Sequence, residues 1–263
     1  MQLPVSALSM DYAREANRIA KFVRKTVDSA GAGGVVVGIS GGVDSAVVGA
    51  LCVRAVGSAR VYGLLMPSRH TPERELLDAR ALVRSWGIRA DEVLIGDIAE
   101  QVRSAARVNG TKIARANVEA RGRMTLLYYY ANSMGYLVAG TGDRSEVLLG
   151  YFTKWGDGGV DFLPVAHLYK TQVRRLGAYL GLPENIVNKP ASPGLWPGHT
   201  AAQELPADYV KLDPLLHFLF DLRLPPEKAA ARAGVSASLA NEVVEMHMRT
   251  AHKRSMPPSM ARR

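Results

Sequence analysis

A short apolar run that ends in a glycine loop limits most strongly how this chain can fold. Residues 35–39 are mostly β-branched, which is typical of a strand that is buried on both faces of a parallel sheet. The loop Ser40-Gly41-Gly42-Val43-Asp44-Ser45 follows, and an apolar helix is predicted from Ala46 to about Val56. A strand, a sharp glycine turn and a helix in this order predict one unit of a parallel α/β sheet.

Strands and helices alternate through the first half of the chain. Besides residues 35–39, strands are predicted at 61–66, 93–95 and 136–139, and helices at 11–29, 73–86, 112–134 and 168–180. This alternation implies parallel strands joined by right-handed crossover helices, with ligands at the carboxyl ends of the strands. We therefore predict a doubly wound parallel α/β sheet flanked by helices, in a single domain over residues 1–263 with a helical C-terminal tail from Tyr209.

The glycine loop is suited to holding phosphate. Glycines let the backbone turn sharply and approach an anion without interference from a Cβ atom, and successive N–H groups at a helix N-terminus form a cradle for pyrophosphate. The pattern lacks the Gly-Lys-Ser/Thr ending of the other common phosphate loop. It resembles the loop of ATPases that release pyrophosphate, a superfamily of tRNA-modifying enzymes and amidating synthetases. Taken alone, the loop could also be a glycine turn with a capping Asp or Ser.

Six further segments narrow this resemblance. They are Ala120 to Met124, Gly140 to Glu146, Gly150 to Asp161, Leu168 to Arg174, Lys189 to Trp196, and His252 to Arg254. In order and spacing they resemble the signature segments of ammonia-dependent NAD synthetase, and with the loop they extend over about residues 38–254.

The resemblance implies a role for individual positions. It implies that ATP is bound by Gly38, Ile39, Ser40, Gly41, Gly42, Val43, Asp44, Ser45, Thr141, Lys170 and Ser192. It implies that deamido-NAD is contacted by Arg121, Lys154, Asp161, His252 and Lys253. It also implies a Mg²⁺ ion on Asp44 and Glu146, and hard carboxylate oxygens suit this ion. Two assignments have ordinary structural alternatives: Lys170 could lie on a solvated helix face, and His252 could interact with a helix C-terminus.

The reaction implied by the resemblance has two steps. ATP adenylates the nicotinate carboxylate of deamido-NAD and releases pyrophosphate, and ammonia then displaces AMP to give NAD. No side-chain nucleophile is required, because positioning, Mg²⁺ and cationic side chains stabilise the charge that develops. The family also implies a homodimer with the dinucleotide near the subunit interface. Free ammonia is the expected donor, since glutamine use needs an activated thiol and the single cysteine, Cys52, is predicted in an apolar helix.

The net charge of +9 is distributed along the chain. It could attract polyanionic small molecules or reflect solvated faces, and it lacks the clustered footprint of a nucleic-acid surface. No nucleic-acid partner is therefore predicted. No membrane partner is predicted either, because no apolar run approaches the roughly 20 residues of a membrane-spanning helix. A single cysteine excludes an internal disulfide, so a cytoplasmic location is expected. Two alternatives remain: a tRNA-modifying ATPase of the same superfamily, and a non-catalytic nucleotide sensor.

Several segments are predicted to be irregular. Residues 140–167 have few periodic apolar positions and are predicted to be active-site loops, and the proline- and glycine-rich residues 190–207 are predicted to be a lid over bound nucleotide. Arg121 and Arg123 are two apart on a predicted helix, so only one is expected to face the site. The chain departs from the family pattern at His167 and Pro206, and Asp143 and Arg144 occupy a variable stretch.

Overall fold

The protein is built on a four-stranded parallel sheet. The computed structural model describes residues 8–192, 194, 196 and 198–260. The strands are β1 (Val35–Gly38), β2 (Val61–Leu65), β3 (Arg89–Glu92) and β4 (Leu137–Ala139), in the spatial order β3-β2-β1-β4. Val35 pairs with Val61 on one side and with Leu137 on the other, so the apolar run predicted to be a buried strand is central.

Helices cover both faces of the sheet. In the described part of the chain they are α1 (Tyr12–Ser29), α2 (Val43–Val56), α3 (Glu73–Trp86), α4 (Ile95–Ala105), α5 (Lys112–Met134), α6 (Arg144–Leu149), α7 (Lys170–Tyr179), α8 (Glu184–Val187), α9 (Tyr209–Leu216), α10 (Pro226–Ala233) and α11 (Ala237–Arg249). Val35 and Val37 pack on the side of α1, α2, α3 and α7, whereas Val36 and Val138 pack on the side of α5. The prediction of a doubly wound parallel α/β sheet is confirmed.

The prediction of a strand at residues 93–95 is wrong. The strand is Arg89–Glu92, at the edge of the sheet, and α4 begins at Ile95. Because this edge strand is mostly exposed and polar, it lacks the apolar signal of a buried strand. Ile95 is apolar for a different reason, because it is buried at the start of α4. Residues 140–167 also contain the short helix α6, where only loops were expected.

The C-terminal helices form a second core that packs against α6. Leu212, Leu215 and Val243 are fully buried in a cluster with Leu148 and Leu149 of α6, which confirms the helical tail. None of the described helices is long and apolar enough to cross a membrane. The single domain over residues 1–263 stays a prediction.

Polar contacts also fix the position of α9 against α6 and α7. Asp213 is completely buried in α9. Its carboxylate accepts hydrogen bonds from Ser145 Oγ and Thr171 N, each at 2.7 Å. The first turns of α6 and α7 are thereby held to the same helix.

Candidate active site

The glycine loop lies at the carboxyl end of the central strand β1 and is braced by its own serines. Ser40 N donates to Ser45 Oγ over 3.2 Å, and Ser45 Oγ donates to the carbonyl oxygen of Gly42 over 3.0 Å. Within the described residues, no side chain caps the N-terminus of α2, where Gly42 is the capping position. The first N–H groups of α2 therefore face the loop with the positive end of the helix dipole, an arrangement that favours an anion.

Gly41 brings the loop against α3. Its φ is +79°, and a Cβ atom there would lie 2.3 Å from the carbonyl oxygen of Glu75, so only glycine fits. Lys189 Nζ donates to the Gly41 carbonyl oxygen and to Asp78 Oδ2, each at 2.8 Å. The loop is thus held between α3 and the segment that precedes the predicted lid.

Four charged side chains meet beside the loop. Lys170, at the start of α7, is buried, and its Nζ lies 2.7 Å from Asp44 Oδ2, 2.8 Å from Glu146 Oε1 and 2.9 Å from Asp143 Oδ2. Asp143 also caps α6, since Glu146 N donates to Asp143 Oδ1 over 2.8 Å and Asp143 N donates to Glu146 Oε2 over 3.2 Å. The structure therefore brings together Asp44, Glu146 and Lys170, which are distant in sequence.

The cluster carries more negative than positive charge. Burial raises the pKa of Glu146 to about 8 and the pKa of Asp143 to about 6, although the Lys170 ammonium favours both carboxylates. Burial would lower the pKa of Lys170, but the surrounding carboxylates together raise it well above its usual value. Lys170 is therefore an ammonium, whereas a pKa of about 8 keeps a proton on Glu146 at neutral pH. Full ionisation of the three carboxyl groups would need further positive charge beside them.

The residues of this cluster fit a hard cation. Asp44 Oδ1 and Asp143 Oδ2 are buried and have no hydrogen-bond partner among the described residues, although Asp143 Oδ2 is within ion-pair distance of Lys170. Carboxylate oxygens are the donors that Mg²⁺ prefers. Across the described residues, no group of three or more His, Cys, Asp or Glu side chains is arranged to hold a metal ion by itself. The carboxylates are instead spaced around the Lys170 ammonium.

A second group of predicted residues forms a connected surface. Arg121 Nε donates to the carbonyl oxygen of Lys154 over 3.4 Å, and Lys154 Nζ donates to the carbonyl oxygen of His252 over 2.7 Å. Lys253 Nζ donates to the carbonyl oxygens of Gly150 and Phe152, each at 2.7 Å. The structure thus brings together four of the five residues predicted to contact a dinucleotide.

Asp161 and Arg123 have structural partners at two different strands of the sheet, β4 and β2. The carboxylate of Asp161 accepts from Val138 N over 2.7 Å and from Tyr128 Oη over 3.0 Å, which fixes its segment to β4 and α5. Arg123 Nε donates to the carbonyl oxygen of Met66 over 3.0 Å, whereas Arg121 is exposed. The two arginines therefore point in different directions, as predicted.

The two groups meet at α6. Glu146 lies in its first turn, and Gly150, whose carbonyl oxygen accepts from Lys253, directly follows its last residue. Arg254 Nη1 donates to the carbonyl oxygens of Val147 and Leu148, each at 3.2 Å. A helix of six residues thus connects the carboxylate cluster with the C-terminal segment.

The predicted lid contacts the loop after α6. His199 is buried, and its ring stacks on Trp196 with 3.4 Å between centroids. Glu204 Oε2 lies 3.0 Å from His199 Nε2 and accepts from Tyr151 Oη over 2.9 Å. The hydroxyl of Ser192 donates to the carbonyl oxygen of His199. Residues 193, 195 and 197 lie outside the described part of the lid.

The remaining predicted positions are less connected. Thr141 follows β4 and is partly buried. His167 Nε2 lies 2.7 Å from Glu15 Oε1 of α1, so this departure from the family pattern has a structural partner away from the carboxylate cluster.

Sequence analysis assigned no role to Asp143 or Lys189. Asp143 precedes Glu146 by three residues, which is the spacing of a capping box, and this pattern could have identified it as the start of a helix. The contact of Lys189 with Gly41 joins residues 148 positions apart. No local pattern predicts such a contact.

Comparison with known proteins agrees with this arrangement. A family model described as NAD synthase matches residues 15–257. The NH(3)-dependent NAD(+) synthetase of Staphylothermus marinus is 46% identical over 253 residues, which cover 95% of this chain and 92% of the relative. Two solved structures are each 31% identical and are matched over 96% of this chain. One is the NMN synthetase of Francisella tularensis, with a TM-score of 0.86 and 99% of its chain covered. The other is the NH3-dependent NAD synthetase of Campylobacter jejuni, with a TM-score of 0.82 and 100% covered.

Proposed function

This chain belongs to the NAD synthase family, and from that membership we propose that it uses ATP to amidate deamido-NAD with ammonia. It is a ligase that gives NAD, AMP and pyrophosphate through an adenylated carboxylate. The observation that carries the proposal is the meeting of Asp44, Glu146 and Lys170 beside the glycine loop. A glycine turn with only a structural role needs none of these charges, and neither a nucleotide sensor nor a tRNA-modifying enzyme accounts for the full-length similarity to NAD synthetases.

The loop and the cluster would act on ATP. The N–H groups at the start of α2 are placed to hold phosphate oxygens, and Lys170 is close enough to the loop to donate to them. Asp44 and Glu146 would hold Mg²⁺, which when bound neutralises charge on the triphosphate and on the departing pyrophosphate. Thr141 and Ser192 complete the proposed ATP site. None of these groups has to form a covalent bond, because alignment and charge stabilisation provide the rate increase.

The surface formed by Arg121, Lys154, His252 and Lys253 would hold deamido-NAD, together with Asp161. Cationic side chains suit the pyrophosphate of a dinucleotide. Most of these side chains already bond to neighbouring carbonyl oxygens, so the surface is largely formed before substrate binds. The site needs to exclude water from the adenylate. The hydrogen bond from Tyr151 to Glu204 of the 190–207 segment supports a role for that segment as a lid.

The assembly is proposed to be a homodimer in the cytoplasm. Support for the dimer comes from large apolar side chains on α4, α5 and the turns next to them, which are between 37% and 79% exposed. They are Leu94, Ile98, Val102, Val108, Ile113 and Tyr129. We infer that these side chains lie at a subunit interface, where large exposed apolar side chains become buried. Ile113→Asp with Tyr129→Asp should give monomers in analytical ultracentrifugation, whereas Leu222→Asp, at an exposed position elsewhere, should not.

The proposed function is tested by pyrophosphate release from the purified chain with ATP, Mg²⁺ and ammonium. Release should depend on deamido-NAD and give an equal amount of NAD. Nicotinate mononucleotide is the comparison substrate, because one similar structure is an NMN synthetase. Amidation of the mononucleotide alone would assign the chain to that activity instead. Release that requires tRNA rather than deamido-NAD would contradict the proposal.

A further inference from the structure

The Lys170 ammonium lies at the centre of the carboxylate cluster. Its Nζ–O distances to Asp44, Glu146 and Asp143 all fall between 2.7 and 2.9 Å. Mg²⁺ binds oxygen at about 2.0–2.1 Å. Lys170 Nζ contacts Oδ2 of Asp44, whereas Oδ1 of the same carboxylate has no hydrogen-bond partner among the described residues. A divalent ion on that carboxylate would lie close to the ammonium, and two cations so close repel each other strongly. Lys170 and a metal ion therefore compete for the charge of the same carboxylates.

The three carboxylates are not equivalent. The side chains of Asp44 and Glu146 are 24% and 22% exposed, whereas that of Asp143 is completely buried. Asp44 and Glu146 are therefore the two carboxylates that would hold an ion entering from solvent. Mg²⁺ usually takes only one or two carboxylates and completes its shell with phosphate and water. Asp143 is thus left as a partner for Lys170.

The anchor of Lys170 allows its side chain to change partners. Its backbone is held in place, because Lys170 N donates to Ser145 Oγ over 3.0 Å and the next residue, Thr171, donates from its N to Asp213. The four-carbon stem of lysine is flexible. The ammonium can therefore move while the start of α7 stays fixed.

We propose that Lys170 is a resident cation which competes with the metal ion for Asp44 and Glu146, and that Asp143 is the positioning residue which retains Lys170 when the ion binds. This inference rests on the proposed function, from which it takes Mg²⁺ as the ion. The carboxylates are then neutralised before ATP arrives. Release of Lys170 from Asp44 and Glu146 leaves an ammonium free to donate to phosphate. Binding of the metal ion and of ATP is therefore coupled, and each strengthens the other.

The test is the affinity for Mn²⁺ in the absence of nucleotide, measured by electron paramagnetic resonance of the free ion. Lys170→Met removes the competitor and should tighten Mn²⁺ binding by about fivefold or more, the size of a typical coupling between ligands. Lys211→Met is the control. It removes an exposed ammonium of α9 and should leave the affinity unchanged. Unchanged or weaker binding in Lys170→Met, or an equal gain in Lys211→Met, would overturn the proposal.

Asp143→Asn completes a double-mutant cycle. Alone it should weaken Mn²⁺ binding, because Lys170 would lose its remaining partner when it releases the other two. In the Lys170→Met background the same change should have a much smaller effect. An equal loss in both backgrounds would show that Asp143 is itself a metal ligand and would contradict its assigned role. Lys170→Met leaves the buried charge of Asp143 uncompensated, and the double variant removes that charge. The double variant can therefore be tested even if Lys170→Met alone does not fold.

Mn²⁺ affinity without nucleotide separates this inference from the proposed function. If Lys170→Met fails to tighten Mn²⁺ binding while the unmodified chain still makes NAD, only the proposed competition between Lys170 and the ion is wrong. If the unmodified chain makes no NAD, the proposed function fails whatever the Mn²⁺ affinities are.

Discussion

At the scale of single residues, the site depends on positions where a small chemical change has a large geometric effect. Gly41 is one, because its left-handed backbone and the nearby carbonyl oxygen of Glu75 leave no room for a side chain. Asp44 is another, because its carboxylate stands in the first turn of α2 and contacts Lys170. The first position shapes the loop, and the second supplies charge to it.

Gly41→Ala should disrupt the loop more than an alanine at a left-handed backbone position would by itself. Both the backbone conformation and the contact at 2.3 Å must be relieved, so the loop has to shift. A shift of about 1 Å costs on the order of a hundredfold in rate, measured as pyrophosphate release at saturating substrates. Gly87→Ala is the control, since Gly87 has φ +63° and a Cβ atom added there would have no other atom within 4 Å. It should lose about 1–2 kcal/mol of stability and keep its turnover. Equal turnover in the two variants would contradict this account of Gly41.

Asp44→Asn should lower turnover far more than it lowers stability. The amide keeps the shape of the side chain but removes the negative charge proposed to hold Mg²⁺, so we expect a loss of roughly a hundredfold or more with a nearly unchanged melting temperature. Asp97→Asn, in an exposed pair with Arg69, should change neither quantity. Full turnover of Asp44→Asn at saturating Mg²⁺ would remove Asp44 from the metal site.

At the scale of elements, the sequence predicted what has a periodic or continuous apolar pattern. The central strand, α1, α3 and α5 follow from such patterns, and the residues at their ends agree within a few positions. The edge strand β3 was misplaced because its exposed residues carry no apolar signal. The family resemblance selected Asp44, Glu146 and Lys170, but it could not reveal that Asp143 joins them. That contact depends on how α6 and α7 pack against the buried Asp213 of α9.

The segment 190–207 should become less accessible when both substrates bind. In the structure its Trp196 lies beneath Lys112 Nζ, 3.8 Å from the ring centroid, and Glu204 ties the segment to Tyr151. Closure over an adenylate would protect the intermediate from water. Cleavage after the exposed Glu204 by a glutamate-specific protease should slow with ATP and deamido-NAD present, while cleavage after the exposed Glu227 of α10 serves as the internal reference. Equal slowing at both sites, or none at Glu204, would count against a closing lid.

At the scale of the whole molecule, the pattern of charge suits the proposed substrates. A net charge of +9 attracts ATP and a dinucleotide, both of which are polyanions, and raises their local concentration. Against this positive background the carboxylate cluster around Lys170 is a local region of opposite sign. Such a region favours binding of a cation next to the phosphates. The proposed metal site is thereby separate from the cationic surface proposed for deamido-NAD.

The nitrogen donor is predicted to be free ammonia. Glutamine use requires a thiolate nucleophile, and Cys52 does not supply one, because complete burial raises the pKa of its thiol to about 12 and keeps it protonated at neutral pH. The chain also covers 92% of a relative named as ammonia-dependent. At fixed total ammonium, activity should rise as the medium becomes mildly alkaline, since ammonium then gives up protons to form NH₃. Cys52 remains a thiol over that interval, so the rise cannot come from its ionisation.

Cys52→Ala is the variant that distinguishes the two donors. It should retain both the ammonium-dependent activity and its rise with pH, although the smaller side chain leaves a small cavity in the core that lowers stability modestly. The measurement is NAD formation with ammonium or with glutamine as the only nitrogen source, in the unmodified chain and in the variant. A loss of stability without a loss of ammonium-dependent turnover would place Cys52 in packing alone. Efficient glutamine-dependent synthesis by the purified chain, abolished in Cys52→Ala, would instead make the thiol a nucleophile and reject ammonia as the direct donor.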